Sequence, residues 1–135
     1  MAHIIEVEYN PGLRTKSTHL RSGVVVVTDA PVDNNGKGES FSPTDLVCSS
    51  LCSCMMTIMG IVAEREGIDL SGLKAEVSKT MSANPRRIAE IGISIRHPGL
   101  QATSEQKEKL MRAAFTCPVA LSLGDQVIQS IEFHW

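Results

Sequence analysis

Three cysteines, Cys48, Cys52 and Cys54, sit inside the stretch Ser42 to Glu64, SPTDLVCSSLCSCMMTIMGIVAE, and a fourth, Cys117, stands in Thr116-Cys117-Pro118-Val119. Thiols offer three kinds of chemistry: metal ligation, disulfide formation, and nucleophilic or redox attack by a thiolate. A structural zinc site needs four ligands converging on a tetrahedron. On a helix Cys54 lies about 160° around the axis from Cys52, so these thiols do not converge. The spacing of His3, His19, His97 and His134 adds no ligand pattern, so no metal and no cofactor is expected. Cys48 and Cys52 fall on one helix face beside Met55 and Met59, where buried cysteine serves as a small apolar residue. Cys117 precedes Pro118 at a helix start, where unpaired amides and the helix dipole favour a thiolate. Cys54 lies deep in the long helix and would need a cation from another segment, with Arg14 and Arg21 as candidates. On these residues alone two readings stay open, a redox pair of Cys54 with Cys117 or two inert thiols.

The element that carries three of the four cysteines begins at Ser42, a good N-cap. Pro43 suits the first helical position, and Asp45 is placed to receive orphan amides. Leu46 to Ala63 holds eighteen residues without a charge. At 100° per residue Val47, Leu51, Cys54, Ile58 and Ile61 form one stripe, and Cys48, Cys52, Met55, Met59 and Val62 form a second. The remaining face, Ser49, Ser50, Ser53, Met56, Thr57 and Gly60, is small or weakly polar. A membrane span is rejected because four Ser/Thr, three Cys and a Gly make poor lipid-facing material. A partner subunit is the expected cover for such a helix.

At 135 residues the chain is read as one domain, 1–135. Its net charge of −2, with both signs interspersed, excludes a polyanion-binding patch, so no nucleic acid partner is expected. The opening MAHIIEVEYN alternates like a strand and not like a signal peptide, so a cytoplasmic location is expected, where four cysteines are not a static disulfide framework. Ile4 to Tyr9 and Thr15 to Val27 read as two strands around the Asn10-Pro11-Gly12 turn, and Asp33 to Gly38 as a loop. Leu73 to Met81, Ala89 to Arg96 and Val127 to Trp135 read as further strands, with a second helix capped by Thr103 or Ser104 and a short one after Cys117. The order β-β-α-β-β-α-α-β favours α+β over a doubly wound parallel sheet.

SPTDL with Cys54 eleven residues beyond Pro43, the run GKGESFSPTDL, and TCPVALSL near the C-terminus resemble the OsmC/Ohr family, osmotically inducible protein C and organic hydroperoxide resistance protein. The resemblance spans nearly the whole chain and fits a general OsmC-like branch. It implies an intertwined homodimer whose long central helices are wrapped by antiparallel sheets. It also implies a thiol peroxidase in oxidative-stress defence that reduces organic hydroperoxides to alcohols. By the same resemblance Cys54 matches the peroxidatic cysteine, Cys117 the resolving one that forms the Cys54–Cys117 disulfide, and Arg14 the thiolate-activating arginine, with Arg21 as runner-up. The hydroperoxide-resistance branch has a glutamate directly after the helix-start proline. Here Thr44 stands there, with Asp45 one place later as a candidate polar partner. The implied partners are an organic hydroperoxide and a dithiol reductant such as a lipoylated protein. Val47, Leu51 and Ile58 are the expected walls of an approach suited to alkyl or lipid hydroperoxides. Rival readings are a binding module for an apolar ligand at the dimer interface and a dithiol–disulfide exchanger.

Overall fold

The computed structural model describes all residues, Met1–Trp135. The chain divides into two compact units, Met1–Leu46 and Val47–Trp135. The first holds a three-stranded antiparallel sheet in the order β1-β2-β3, with β1 at Ile5–Asn10, β2 at Arg14–His19 and β3 at Val25–Asp29. The sequence reading of Thr15 to Val27 as a single strand is corrected here. Gly23, at φ +74°, closes a tight turn in which its N–H donates to the His19 carbonyl, and the His19 N–H donates to the Val24 carbonyl. Ser22-Gly23 is the local signal for that reversal, since glycine takes positive φ without a Cβ penalty.

Alternation puts Ile5, Val7 and Tyr9 on one face of this sheet with His19, Ser17 and Thr15 opposite them, and Val26 beyond Ser17. Ile5, Val7, Tyr9 and Val26 are all exposed in the single chain. In this unit only Thr28, Asp29 and Ser42 are buried. A segment of this size without an apolar interior does not hold its shape alone.

The helix α1, Pro43–Glu66, starts on a reciprocal cap: the Asp45 N–H donates to Ser42 Oγ at 3.0 Å, and the Ser42 N–H donates to Asp45 Oδ2 at 2.9 Å. It ends at Gly67, which takes φ +67°. The boundary between the two units falls in its first turn.

The second unit packs the rest of α1 with a sheet of order β4-β5-β6, where β4 is Lys74–Ser82, β5 Arg87–Arg96 and β6 Ile128–His134. Two shorter helices, α2 at Ser104–Ala114 and α3 at Pro118–Ser122, connect β5 to β6. That long connection lets the chain return in the same direction, and β6 runs parallel to β5. The expectation of wholly antiparallel sheets is therefore corrected at this pair, while β4 and β5 are antiparallel. α2 carries a capping box between Thr103 and Gln106.

The core of this unit is one cluster in which Cys48, Leu51, Cys52, Met55, Met59 and Ala63 of α1 meet Ile91, Ile93 and Ile95 of β5, Leu110 and Ala114 of α2, and Cys117. The second of the two helix stripes is thus the deeper one. From the first stripe only Leu51 is fully buried, whereas Val47, Cys54 and Ile58 are half-buried and Ile61 is exposed. By length and composition α1 could cross a membrane, but its largest side chains fill a protein core here.

Candidate active site

Cys54 and Cys117 are the two thiols that the fold brings together. Cys54 is half-buried on the middle of α1. Cys117 is completely buried and is the N-cap of α3, with its Sγ accepting the Ala120 N–H at 3.2 Å. Its helix is built as the Cys-Pro pair dictates: Cys117 is extended, at φ −65° and ψ 141°, and Pro118 opens the turn. Cys54 packs against the core cluster that holds Cys117, close enough for the two thiols to act on one another electrostatically. Burial pushes the Cys117 thiol up, outweighing the Ala120 N–H, which favours the thiolate, and proximity to Cys54 raises it further. Cys117 is therefore held as a protonated thiol at neutral pH, near a neighbour that is more open to solvent. Both are present as thiols, an arrangement able to close a disulfide on oxidation.

Cys48 and Cys52 lie in the core, as their helix face implied. Cys52 is pushed up by burial alone, and its thiol lies 3.8 Å from Met56 Sδ. Neither is part of the Cys54–Cys117 contact. Leu51 is fully buried, so it cannot form a wall that an incoming molecule touches. Of the three expected wall residues, only Val47 and Ile58 are partly open.

Arg14 belongs to a polar cluster in the N-terminal unit. Its Nε and Nη2 donate to the two carboxylate oxygens of Asp29 at 2.6 and 2.9 Å, and Nη2 also donates to Glu39 at 3.1 Å. Asp29, 1% exposed, further accepts the Glu39 N–H at 3.1 Å. The Arg14 hydrogen bonds hold the Asp29 carboxyl below its usual range, and the two acids raise the guanidinium further. Arg14 and Asp29 are directly opposed in the β2–β3 register, which is why the fork meets the carboxylate side-on. The sequence reading missed Asp29 and Glu39. An acid closing the apolar run Val24 to Val27 was the available signal for Asp29, and Glu39 had none. Arg21 sits exposed in the turn after β2, and Asp45 is occupied at the α1 cap. Thr44 Oγ1 lies 3.2 Å from Ser42 Oγ. No cluster of histidine, cysteine or acidic side chains able to hold a metal ion is present.

This fold, with a buried Cys-Pro helix start meeting a cysteine on the long helix, defines an α+β protein of OsmC-like architecture. The sequence model of the family described as OsmC-like protein matches residues 36–132, and the chain belongs to that family. A Psychrobacter arcticus 273-4 protein, provisionally designated an osmotic stress induced and detoxification response protein, is 44% identical. The match covers 99% of this chain and 97% of that one, with a TM-score of 0.94. The organic hydroperoxide resistance protein OsmC of Legionella pneumophila is 15% identical over 100% and 99% of the two chains, at a TM-score of 0.76. An organic hydroperoxide resistance protein of Elizabethkingia anophelis is 14% identical over 99% and 97%, at 0.71. These last two share the fold. No curated protein matches the chain in sequence.

Proposed function

We propose that this protein is a cysteine-based peroxidase that reduces organic hydroperoxides to alcohols, acting as a homodimer in the cytoplasm during oxidative stress. The observation that carries the reading is the proximity of a partly buried Cys54 to a fully buried, protonated Cys117 at a helix N-cap. Relatives in fold bear the name organic hydroperoxide resistance protein.

In the proposed cycle the Cys54 thiolate attacks the distal oxygen of ROOH, and Arg14 is the residue that the family resemblance assigns to its activation. The O–O bond breaks, the alkoxide takes a proton and leaves as ROH, and Cys54 becomes a sulfenic acid. Cys117 then condenses with it, releasing water and forming the Cys54–Cys117 disulfide. An external dithiol, such as a lipoylated protein, returns both thiols by exchange and is itself oxidised to a disulfide. Burial of Cys117 keeps its sulfur protonated and out of reach of peroxide, so the more open Cys54 is the one that meets substrate. The apolar side chains of Val47 and Ile58, one to two turns from Cys54 on the same stripe, favour alkyl over hydrogen peroxide.

One equivalent of cumene hydroperoxide should remove two thiols per chain, and peptide mapping should locate them at Cys54 and Cys117. Loss of no thiol would instead support an apolar-ligand binding module, and a 48–52 bridge would overturn the site. Equal or higher kcat/KM for hydrogen peroxide would refute the alkyl preference.

A further inference from the structure

The sulfur atoms of α1 are gathered on one side of it. Cys48, Cys52, Met55, Met56 and Met59 all belong to this helix, and at about 100° per residue they fall within roughly 100° of its circumference. Cys52 is the middle of the group, with Cys48 one turn before it and Met55 and Met56 one turn after. Helical side chains lean towards the N-terminus, and Met56 reaches back in this way: the Cys52 thiol donates to its Sδ at 3.8 Å. Cys48 and Cys52 are buried and Met56 is half-buried, so Met56 is the side on which the group is open.

Packing accounts for Met55 and Met59, which have no solvent exposure and fill the core. It does not require a thioether turned onto a thiol at the edge of that core. Cys48 and Cys52, four positions apart on a helix, have Cβ atoms about 5–6 Å from each other. That is too wide for a disulfide, whose Cβ atoms stand about 3.5–4.5 Å apart, but within the span of two sulfurs sharing one ion. No third cysteine, histidine or acid completes a group around them. Zinc, which takes four donors drawn from thiolate, imidazole and carboxylate, is therefore a poor fit. Two thiolates and a thioether make a soft donor set, the kind that selects Cu(I). Three sulfurs around a metal at about 2.3 Å, the length of a metal–thiolate bond, stand about 4.0 Å from one another. The Cys52 and Met56 sulfurs already stand 3.8 Å apart.

We propose that Cys48, Cys52 and Met56 form a three-sulfur site for Cu(I). Binding is a ligand exchange with no change of oxidation state: both thiols release their protons to solvent, two bonds form from copper to thiolate, and the Met56 thioether closes the third position. The solvent or carrier ligands that brought the ion leave. One positive ion offsets one of the two thiolate charges, so the buried site carries a single negative charge where a pair of bare thiolates would be excluded. Because copper competes with protons, affinity rises with pH. The site lies within the Val47–Trp135 unit and apart from the other dithiol, since Cys54 is about 160° around the helix from Cys52. It stands or falls independently of the peroxidase reading.

The test uses the full chain carrying Cys54→Ser and Cys117→Ser, which removes the other dithiol, titrated without oxygen against the Cu(I)–bicinchoninate complex. One Cu(I) per chain should pass from the chromophore to the protein, more completely at pH 8 than at pH 6. X-ray absorption should find sulfur alone around the metal, at about 2.3 Å. Met56→Leu keeps size and apolarity, so stability should hold. Affinity should nevertheless fall at least about tenfold, since even outer-shell changes at a metal site cost that much. Cys52→Ala should abolish binding, and Met111→Leu, which removes a thioether on α2, should leave it unchanged. Failure of the Cys54→Ser/Cys117→Ser chain to retain Cu(I) would overturn the proposal, whether or not the unsubstituted chain binds it, because the metal would then belong to Cys54 and Cys117. Unchanged affinity in Met56→Leu, or zinc held as tightly as Cu(I), would overturn it too. Should Cys52→Ala misfold, Met56→Leu carries the test alone.

Discussion

Replacing Cys117 separates chemistry from architecture, because its sulfur performs two tasks at one point. It caps α3 by accepting the Ala120 N–H at 3.2 Å, and it lies near Cys54 in a position with no solvent exposure. Cys117→Ser keeps an acceptor at the cap and changes volume little, so stability should hold within about 1 kcal/mol. Cys117→Ala removes the acceptor, leaves the Ala120 N–H without its partner, and opens a small void. The cap loss alone is about 1 kcal/mol, which for a chain of this size lowers Tm by about 3–5 °C. Thermal unfolding should therefore rank wild type and Ser together, above Ala. Turnover should rank differently. Both variants lose the resolving thiol, so each should consume one hydroperoxide, accumulate sulfenic acid trappable by dimedone, and pass to sulfinic acid under excess peroxide. In both, recycling by a dithiol should fall to the background rate. Full turnover in Cys117→Ser would refute the resolving role, and equal Tm values for Ser and Ala would refute the capping argument.

Other outcomes follow from burial and charge. Cys52 and Cys117 both have thiol pKa values raised by burial, so the unfolded chain ionises first. Stability is whole below the unfolded thiol value of about 8.5 and should fall as pH climbs through and beyond it, less steeply in Cys52→Ala, as chemical denaturation from pH 7 to 10 would show. Asp29 is shifted the other way. Its contribution is present above the ordinary carboxylate value near 4 and is lost as pH falls below it, so Asp29→Asn should flatten the acid limb of the same curve. Leu51→Ala deletes a fully buried side chain and should cost about 2–5 kcal/mol by denaturant titration, with Cys54 reactivity in the folded fraction little changed. Val7→Asp puts a charge among Ile5, Tyr9 and Val26 on the exposed sheet face. If a second copy covers that face, sedimentation should find wild type dimeric and this variant dissociated or unfolded, and a dimeric, stable Val7→Asp would rule that face out.

Much of the architecture was legible because it depends on local rules. Ser42, Pro43 and Asp45 announce the start of α1, Gly67 its end, Thr103 the cap of α2, and Cys117-Pro118 the start of α3, and each occupies that position. The special character of Cys54 and Cys117 was legible too, but their pairing came from a family resemblance and not from spacing. The turn at Ser22-Gly23 was missed because the valine run beside it dominates the pattern, and the parallel β5–β6 pair because direction depends on how a long connection returns.

What the sequence by itself determined is where helices and strands begin and end, since capping, periodicity and glycine conformations act within a few residues. It also marked which thiols are unlike the others. Only the tertiary structure decided which of two apolar stripes on α1 faces inward, that Cys117 is sealed against Cys54, and that Asp29 and Glu39 hold Arg14. Those outcomes turn on residues far apart in sequence, Arg14 and Asp29 by 15 positions and Cys54 and Cys117 by 63. There burial and register set a side chain's charge and reach, and no local rule carries that information.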